Sequence, residues 1–152
     1  MAAPALVVVR DMSDVDEVRT LFREYAASLP FALDFQDFDR ELADLPGAYA
    51  PPRGALLLAR GEGCVGLRPI DDTTCEMKRL YVRPSARGTG LGRRLAEAVV
   101  AEARRLGYAH MRLDTVPEMA AAQSLYERLG FREIPPYRPN PILGARFLEL
   151  QL

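Results

Sequence analysis

The chain has 152 residues, of which 49% are apolar and 27% charged, and its formal net charge is −1. That length suits one domain, residues 1–152, with a sizeable core, and the composition is that of an ordinary globular protein. The near-neutral balance excludes a basic field for nucleic acid, and no apolar run approaches the roughly 20 residues that span a bilayer.

The opening Met-Ala-Ala-Pro lacks the basic stretch of a signal peptide, so a cytoplasmic protein with no membrane partner is expected. Residues 6–10, rich in valine, read as a short strand. Ser13 with Asp16 three residues on reads as a helix start. Val15, Val18, Phe22, Tyr25 and Leu29 then form one apolar stripe, which Pro30 ends. A shorter helix is expected over about 36–45. Phe31, Phe35 and Phe38 cluster around it, either as core or as a wall of an acceptor site. Pro51-Pro52 marks a connector. Residues 55–60 and 63–67 form a hairpin closed by Gly61-Glu62-Gly63.

Residues 74–82 are a long strand. Strict alternation places Glu76, Lys78, Leu80 and Val82 on one face and Cys75, Met77, Arg79 and Tyr81 on the other. A glycine loop follows, then a helix over 91–106 with Gly107 after it. Residues 109–115 are a strand. Thr115 and Glu118 read as a capping box for a fourth helix that Gly130 closes. A stiff proline-rich loop over 135–141 leads to a last strand at 145–150. The strand–helix–strand–helix order over 74–129 implies parallel pairing of its two strands. The expected fold is α/β, a mixed and strongly twisted sheet flanked by about four helices.

Chemistry concentrates in Arg87-Gly88-Thr89-Gly90-Leu91-Gly92-Arg93-Arg94. Glycines let a backbone approach a ligand, and the first amides of the following helix lack internal partners at the positive end of its dipole. Such a place attracts phosphate. Arg87, Arg93 and Arg94 crowd that positive end, an arrangement that a bound polyanion would favour and an empty helix start would not. No Lys-Ser/Thr follows, so this is no Walker A loop, and the last glycine is misplaced for a dinucleotide fingerprint. A nucleotide-phosphate protein is therefore disfavoured.

What fits is Arg87-x-x-Gly90-x-Gly92 between a strand and a helix. With Glu76 eleven residues earlier and Ser-Leu-Tyr-Glu-Arg-Leu-Gly-Phe over 124–131, the second half of the chain resembles the GNAT superfamily of N-acetyltransferases. The resemblance implies acetyl-CoA as co-substrate and a small-molecule or peptide amine as acceptor. It implies a pyrophosphate site at Arg87, Gly88, Thr89, Gly90, Leu91, Gly92 and Arg93. It places the pantetheine arm and the thioester oxygen along the backbone of Leu80, Tyr81 and Val82. Glu76 would be the general base, its pKa raised on a covered sheet, unless it serves as an ion-pair partner of Lys78. Tyr126 would be the general acid for the thiolate, unless it is a core residue. Met119 stands where many relatives carry an asparagine on the pantetheine.

Tyr137, Arg138 and Asn140 could receive a carboxylate or other polar group of the acceptor, or could form a rigid surface connector. Cys64 and Cys75 are isolated and read as buried small hydrophobes, and Cys75 should face away from Glu76. His110, the single histidine, lacks a triad partner. No metal site and no nucleic-acid partner are expected, and a homodimer is left open. The alternative function is a non-catalytic acyl-CoA sensor that binds without turnover.

Overall fold

The computed structural model describes residues 4–33 and 37–152. Phe35 therefore lies outside the described residues. Strands β1 (Leu6–Val8), β2 (Ala55–Ala59), β3 (Gly63–Pro69), β4 (Thr74–Val82), β5 (His110–Thr115), β6 (Arg132–Ile134) and β7 (Arg146–Gln151) form one sheet in the order β1-β2-β3-β4-β5-β7-β6. Every pairing is antiparallel except that of β4 with β5. The parallel pair is the one that the helical crossover between them demands, because such a connection returns the chain to the same end of the sheet.

Helices cover both faces. Helix α1 (Met12–Ala27) and helix α2 (Phe38–Asp44) lie on one, and Val18, Leu21 and Phe22 of α1 bury there against Leu56, Leu58 and Tyr81 of the sheet. Helix α3 (Leu91–Arg105) and helix α4 (Ala120–Arg128) cover the other, with Leu91, Leu95 and Val99 set against Val65, Leu67 and Met77. Burying a leucine or valine side chain in this way is worth about 1.5–3 kcal/mol. The alternating burial of β5 and the unbroken burial of β2 follow from their places, since β2 is covered on both faces.

Several local expectations are corrected. The first helix is capped by Asp11, whose carboxylate accepts from the Asp14 amide at 2.9 Å, while Ser13 donates to that same carboxylate. Thr115 does not cap the fourth helix: a single 3₁₀ turn, Pro117–Met119, precedes α4, and Gln123 instead donates to the Val116 carbonyl at 2.7 Å. Strand β6, three residues long, was not anticipated and pairs on the outer side of β7.

The strict alternation along β4 is also overturned. Cys64 pairs with Tyr81 while Gly66 pairs with Lys78, so β4 carries one extra residue there, a β-bulge. Arg79 sits in it with φ +60°, left-handed backbone that a non-glycine residue adopts at roughly 1–2 kcal/mol. After the bulge the faces exchange. Glu76, Lys78, Arg79 and Tyr81 turn to the α1/α2 side, and Cys75, Met77, Leu80 and Val82 to the α3 side. Phe38 lies on the same side, buried in the core beneath the Arg79 guanidinium, which stands 5.0 Å from its ring centroid.

Candidate active site

The cleft begins where β4 and β5 part. Their pairing runs only over Thr74–Glu76 against His110–Arg112, and the bulge at Arg79 bends β4 away immediately afterwards. The wedge between the strands opens into a cleft of about 520 Å³. Leu80, Tyr81 and Val82 supply one wall, and Leu113 to Val116 with Met119, Ala122 and Tyr126 supply the other. Phe31 and Tyr25 roof it, Arg87 and Gly92 stand at one end, and Lys78, Asp114 and Asn140 lie deeper in.

At the loop end, Gly88 and Gly90 have φ of +80° and +84°, and a side chain at either would meet nothing within 4 Å. These glycines are required by backbone conformation, and the space beside them is open to a ligand. Gly90 opens α3 without a side-chain cap, so the amides of the first turn keep their hydrogen-bonding capacity. Thr89 braces the loop by donating to the Ala86 carbonyl at 2.6 Å. Of the three arginines only Arg87 lines the cleft, donating to the Val82 carbonyl at 3.1 Å. Arg93 pairs with Glu97 at 2.7 Å, and Arg94 donates to the Pro4 carbonyl at 2.7 Å, so the idea of three converging arginines is corrected to one. Leu91 is core, 1% exposed.

Tyr126 projects from α4 into the cleft, edge-on to Phe131 with ring centroids 5.7 Å apart. Among the described residues no group hydrogen-bonds its hydroxyl, and burial pushes its pKa up, so it remains protonated well above neutral pH. Met119 is at the head of α4 with its sulfur 4.0 Å from the Thr115 hydroxyl.

Glu76 is not on the cleft wall. It is fully buried on the sheet and receives Arg68 Nε at 2.9 Å, the Tyr137 hydroxyl at 2.6 Å and Arg138 Nη2. Burial would raise its pKa, but Lys78, Arg68 and Arg138 outweigh that and hold it down at about 2. The expected rise is therefore reversed, and the ion pairing runs to Arg68 and Arg138. Tyr137 and Arg138 are thus turned toward Glu76, whereas Asn140 reaches the cleft and donates to Asp114 Oδ2 at 3.2 Å.

Beside this lies a cluster that sequence reasoning missed. Arg79 is bidentate on Glu41, both contacts 3.0 Å, and Tyr49 donates to the same carboxylate at 3.1 Å. Lys78 Nζ stands 3.7 Å from Asp114 Oδ1 across the wedge. Asp114 falls on the less buried face of the alternating strand β5, with His110 and Arg112, and only its acidic side chain marks it in the sequence. Cys75 faces α3, and burial pushes its thiol up to about 12, which leaves it a poor nucleophile for an acyl-cysteine route. Among the described residues no group of three or more His, Cys, Asp or Glu could hold a metal, and no helix is long and apolar enough to cross a membrane.

The acetyltransferase (GNAT) family matches residues 16–131, which contain the wedge, the glycine loop and Tyr126. The chain belongs to this family. As a GNAT protein it is similar over 97% of its length to an uncharacterised N-acetyltransferase of Schizosaccharomyces pombe, with 38% identity and 94% of that protein covered. An acetyltransferase of Streptococcus agalactiae has the same fold, with TM-score 0.75, 21% identity and full coverage of both chains. So has an acetyltransferase of Salmonella typhimurium solved with its cofactor acetyl-CoA, with TM-score 0.69, 20% identity and coverage of 99% and 94%. The GNAT chain is accordingly an acyltransferase enzyme that uses acetyl-CoA.

Proposed function

We propose that the protein transfers an acetyl group from acetyl-CoA to a primary amine of a small molecule or peptide by direct attack. The observation that carries this reading is the wedge itself, which joins an uncapped helix start to a buried phenol along one open strand. The pyrophosphate sits on the loop Arg87–Gly92, with Gly88, Thr89, Gly90, Leu91 and Arg93 supplying backbone and Arg87 its charge. The unpaired edge of β4 at Leu80, Tyr81 and Val82 offers N–H and C=O groups to the amides of the pantetheine arm, as an added strand would be held. An N–H of the same segment faces the charge that develops on the thioester oxygen. Tyr126 gives its proton to the departing thiolate, which its raised pKa and cleft position suit.

Glu76 is the base in this scheme, and its surroundings say when. A carboxylate held at about 2 is a weak base while Arg68, Arg138 and Tyr137 all bind it. An acceptor that carries its own carboxylate takes Arg138 and Tyr137 for itself. Glu76 then keeps its burial and loses two donors, so its pKa rises and it accepts the ammonium proton through a water. Asn140 and Phe31 line the acceptor side. Full engagement of Glu76 also favours one other reading, an acyl-CoA sensor without turnover.

Thiol release from acetyl-CoA across amines with and without a carboxylate tests both. The enzyme reading expects release, preference for carboxylate-bearing amines, and a loss of roughly 10²-fold or more in kcat for Tyr126→Phe and Glu76→Gln. CoA binding with no release from any amine selects the sensor. Unchanged turnover in Tyr126→Phe removes its acid role.

A further inference from the structure

Lys78 is the only lysine of the chain, which uses arginine at nineteen positions. Its place is as particular as its rarity. It is 5% exposed, lies two residues before Leu80 on β4, and lines the cleft at the depth where the strands part. Its ammonium spans the wedge to Asp114, whose other oxygen is held by Asn140. Arginine would serve every need of an ion pair here and would never lose its charge. Lysine can become a neutral amine, and an amine is the class of group that this fold acetylates.

The charges around it set how often it does so. Burial and Arg79 draw the ammonium down to about 8, with Arg68 adding to them, against the pull of Glu76 and Asp114. Glu41 on α2 also faces it. At pH 8 about half of the side chains are therefore uncharged.

We propose that Lys78 is a site of self-acetylation: with acetyl-CoA in the cleft and no acceptor present, the Lys78 amine takes the acetyl group. The step assumes the acetyl-CoA site proposed above. The neutral Nζ attacks the thioester carbonyl, an N–C bond forms and the C–S bond breaks. The amine proton leaves with the thiolate as CoA thiol, and no other reactant is consumed. The product is an uncharged amide, so Asp114 loses its cation and the acceptor end of the cleft changes both charge and volume. The modification closes the site when acetyl-CoA is plentiful and acceptor scarce.

The test needs no acceptor. The purified full chain is incubated with acetyl-CoA, CoA binding is followed in parallel by calorimetry, and the acetylated residue is located by peptide mass mapping. The N-terminal amine is the one other primary amine, so the map has two outcomes to separate. The expected result is one acetyl group on Lys78 of the wild-type chain. Its rate should rise about tenfold per pH unit up to pH 8 and level off above it, and an excess of free CoA should suppress it. Lys78→Arg should bind CoA and gain nothing at that position. Binding of acetyl-CoA with Lys78 left unmodified at pH 9, or acetylation of the N-terminus alone, overturns the inference and spares the cofactor site. Acetylation that excess CoA does not slow also overturns it, because the acetyl group then comes from solution. Failure of acetyl-CoA to bind at all removes the proposed cofactor site itself.

Discussion

A single side chain at the acceptor end shows how one contact can serve both structure and chemistry. Tyr137 donates to the Glu76 carboxylate at 2.6 Å while its ring stands edge-on to Phe147 at 5.2 Å. Tyr137→Phe keeps the ring contact and deletes one hydrogen bond to a buried charge, a loss of about 1.5–3 kcal/mol measured by urea unfolding at neutral pH. Arg138→Gln makes the complementary change. It weakens the hold on Glu76 and removes the cation offered to an acceptor carboxylate, so the preference for carboxylate-bearing amines over neutral ones should vanish. If that preference persisted in Arg138→Gln, the carboxylate would be read elsewhere. Neither partnership was legible in the sequence. The proline-rich loop announced polar groups near the acceptor, but Tyr137 and Arg138 meet Glu76 across 61 and 62 residues of chain, and no local pattern encodes a contact of that span.

At the level of elements, periodicity served well wherever one face is buried. Helix α3 starts at Leu91, where the 3.6-residue stripe puts it, and β4 keeps its expected bounds, although its alternation holds only as far as the bulge. The bulge was invisible because a left-handed arginine carries no composition mark, unlike a left-handed glycine. What stabilises it is the bidentate Glu41 contact from α2, a tertiary feature. The glycine loop allows its own separation of roles. Gly90 has φ +84°, so Gly90→Ala should destabilise the protein by roughly 1 kcal/mol through backbone conformation alone. Gly92 lies inside α3 with Val82 Cγ2, 3.8 Å away, as the one atom a Cβ would meet. Gly92→Ala should therefore leave thermal stability equal or higher by about 0.5–1 kcal/mol, because glycine is a poor helix former. Its methyl group enters the cleft, so CoA affinity should fall although the fold does not. Paired calorimetric titrations and melting curves check both variants, and equal CoA affinity in Gly92→Ala would take that position off the cofactor path.

Across the molecule the same buried charges link the site to stability, and the direction follows from which state holds its protons. Glu76 has a folded pKa of about 2 against 4.5 for a free glutamate, and Glu41 is also lowered because Arg79 outweighs its burial. Both therefore contribute stability that is present above about pH 4.5 and lost on the acid side, and for Glu76 about 3 kcal/mol goes as pH falls toward 2. Lys78 works in the opposite sense, since its folded pKa of about 8 lies below the ordinary 10.5. The unfolded chain holds that proton more tightly, so burying the ammonium destabilises the fold below pH 8 and the deficit disappears between 8 and 10.5. Urea midpoints measured from pH 2.5 to 9.5 should thus fall steeply on the acid side and, as far as this lysine is concerned, climb on the alkaline side. Glu76→Gln cannot ionise. It should be less stable than wild type at pH 7, and the gap should narrow as pH drops below 4.5, because protonation makes the wild-type side chain resemble the glutamine. A gap that stayed constant down to pH 2.5 would mean that Glu76 enters its ion pairs without the depressed pKa that this arrangement of Lys78, Arg68 and Arg138 imposes.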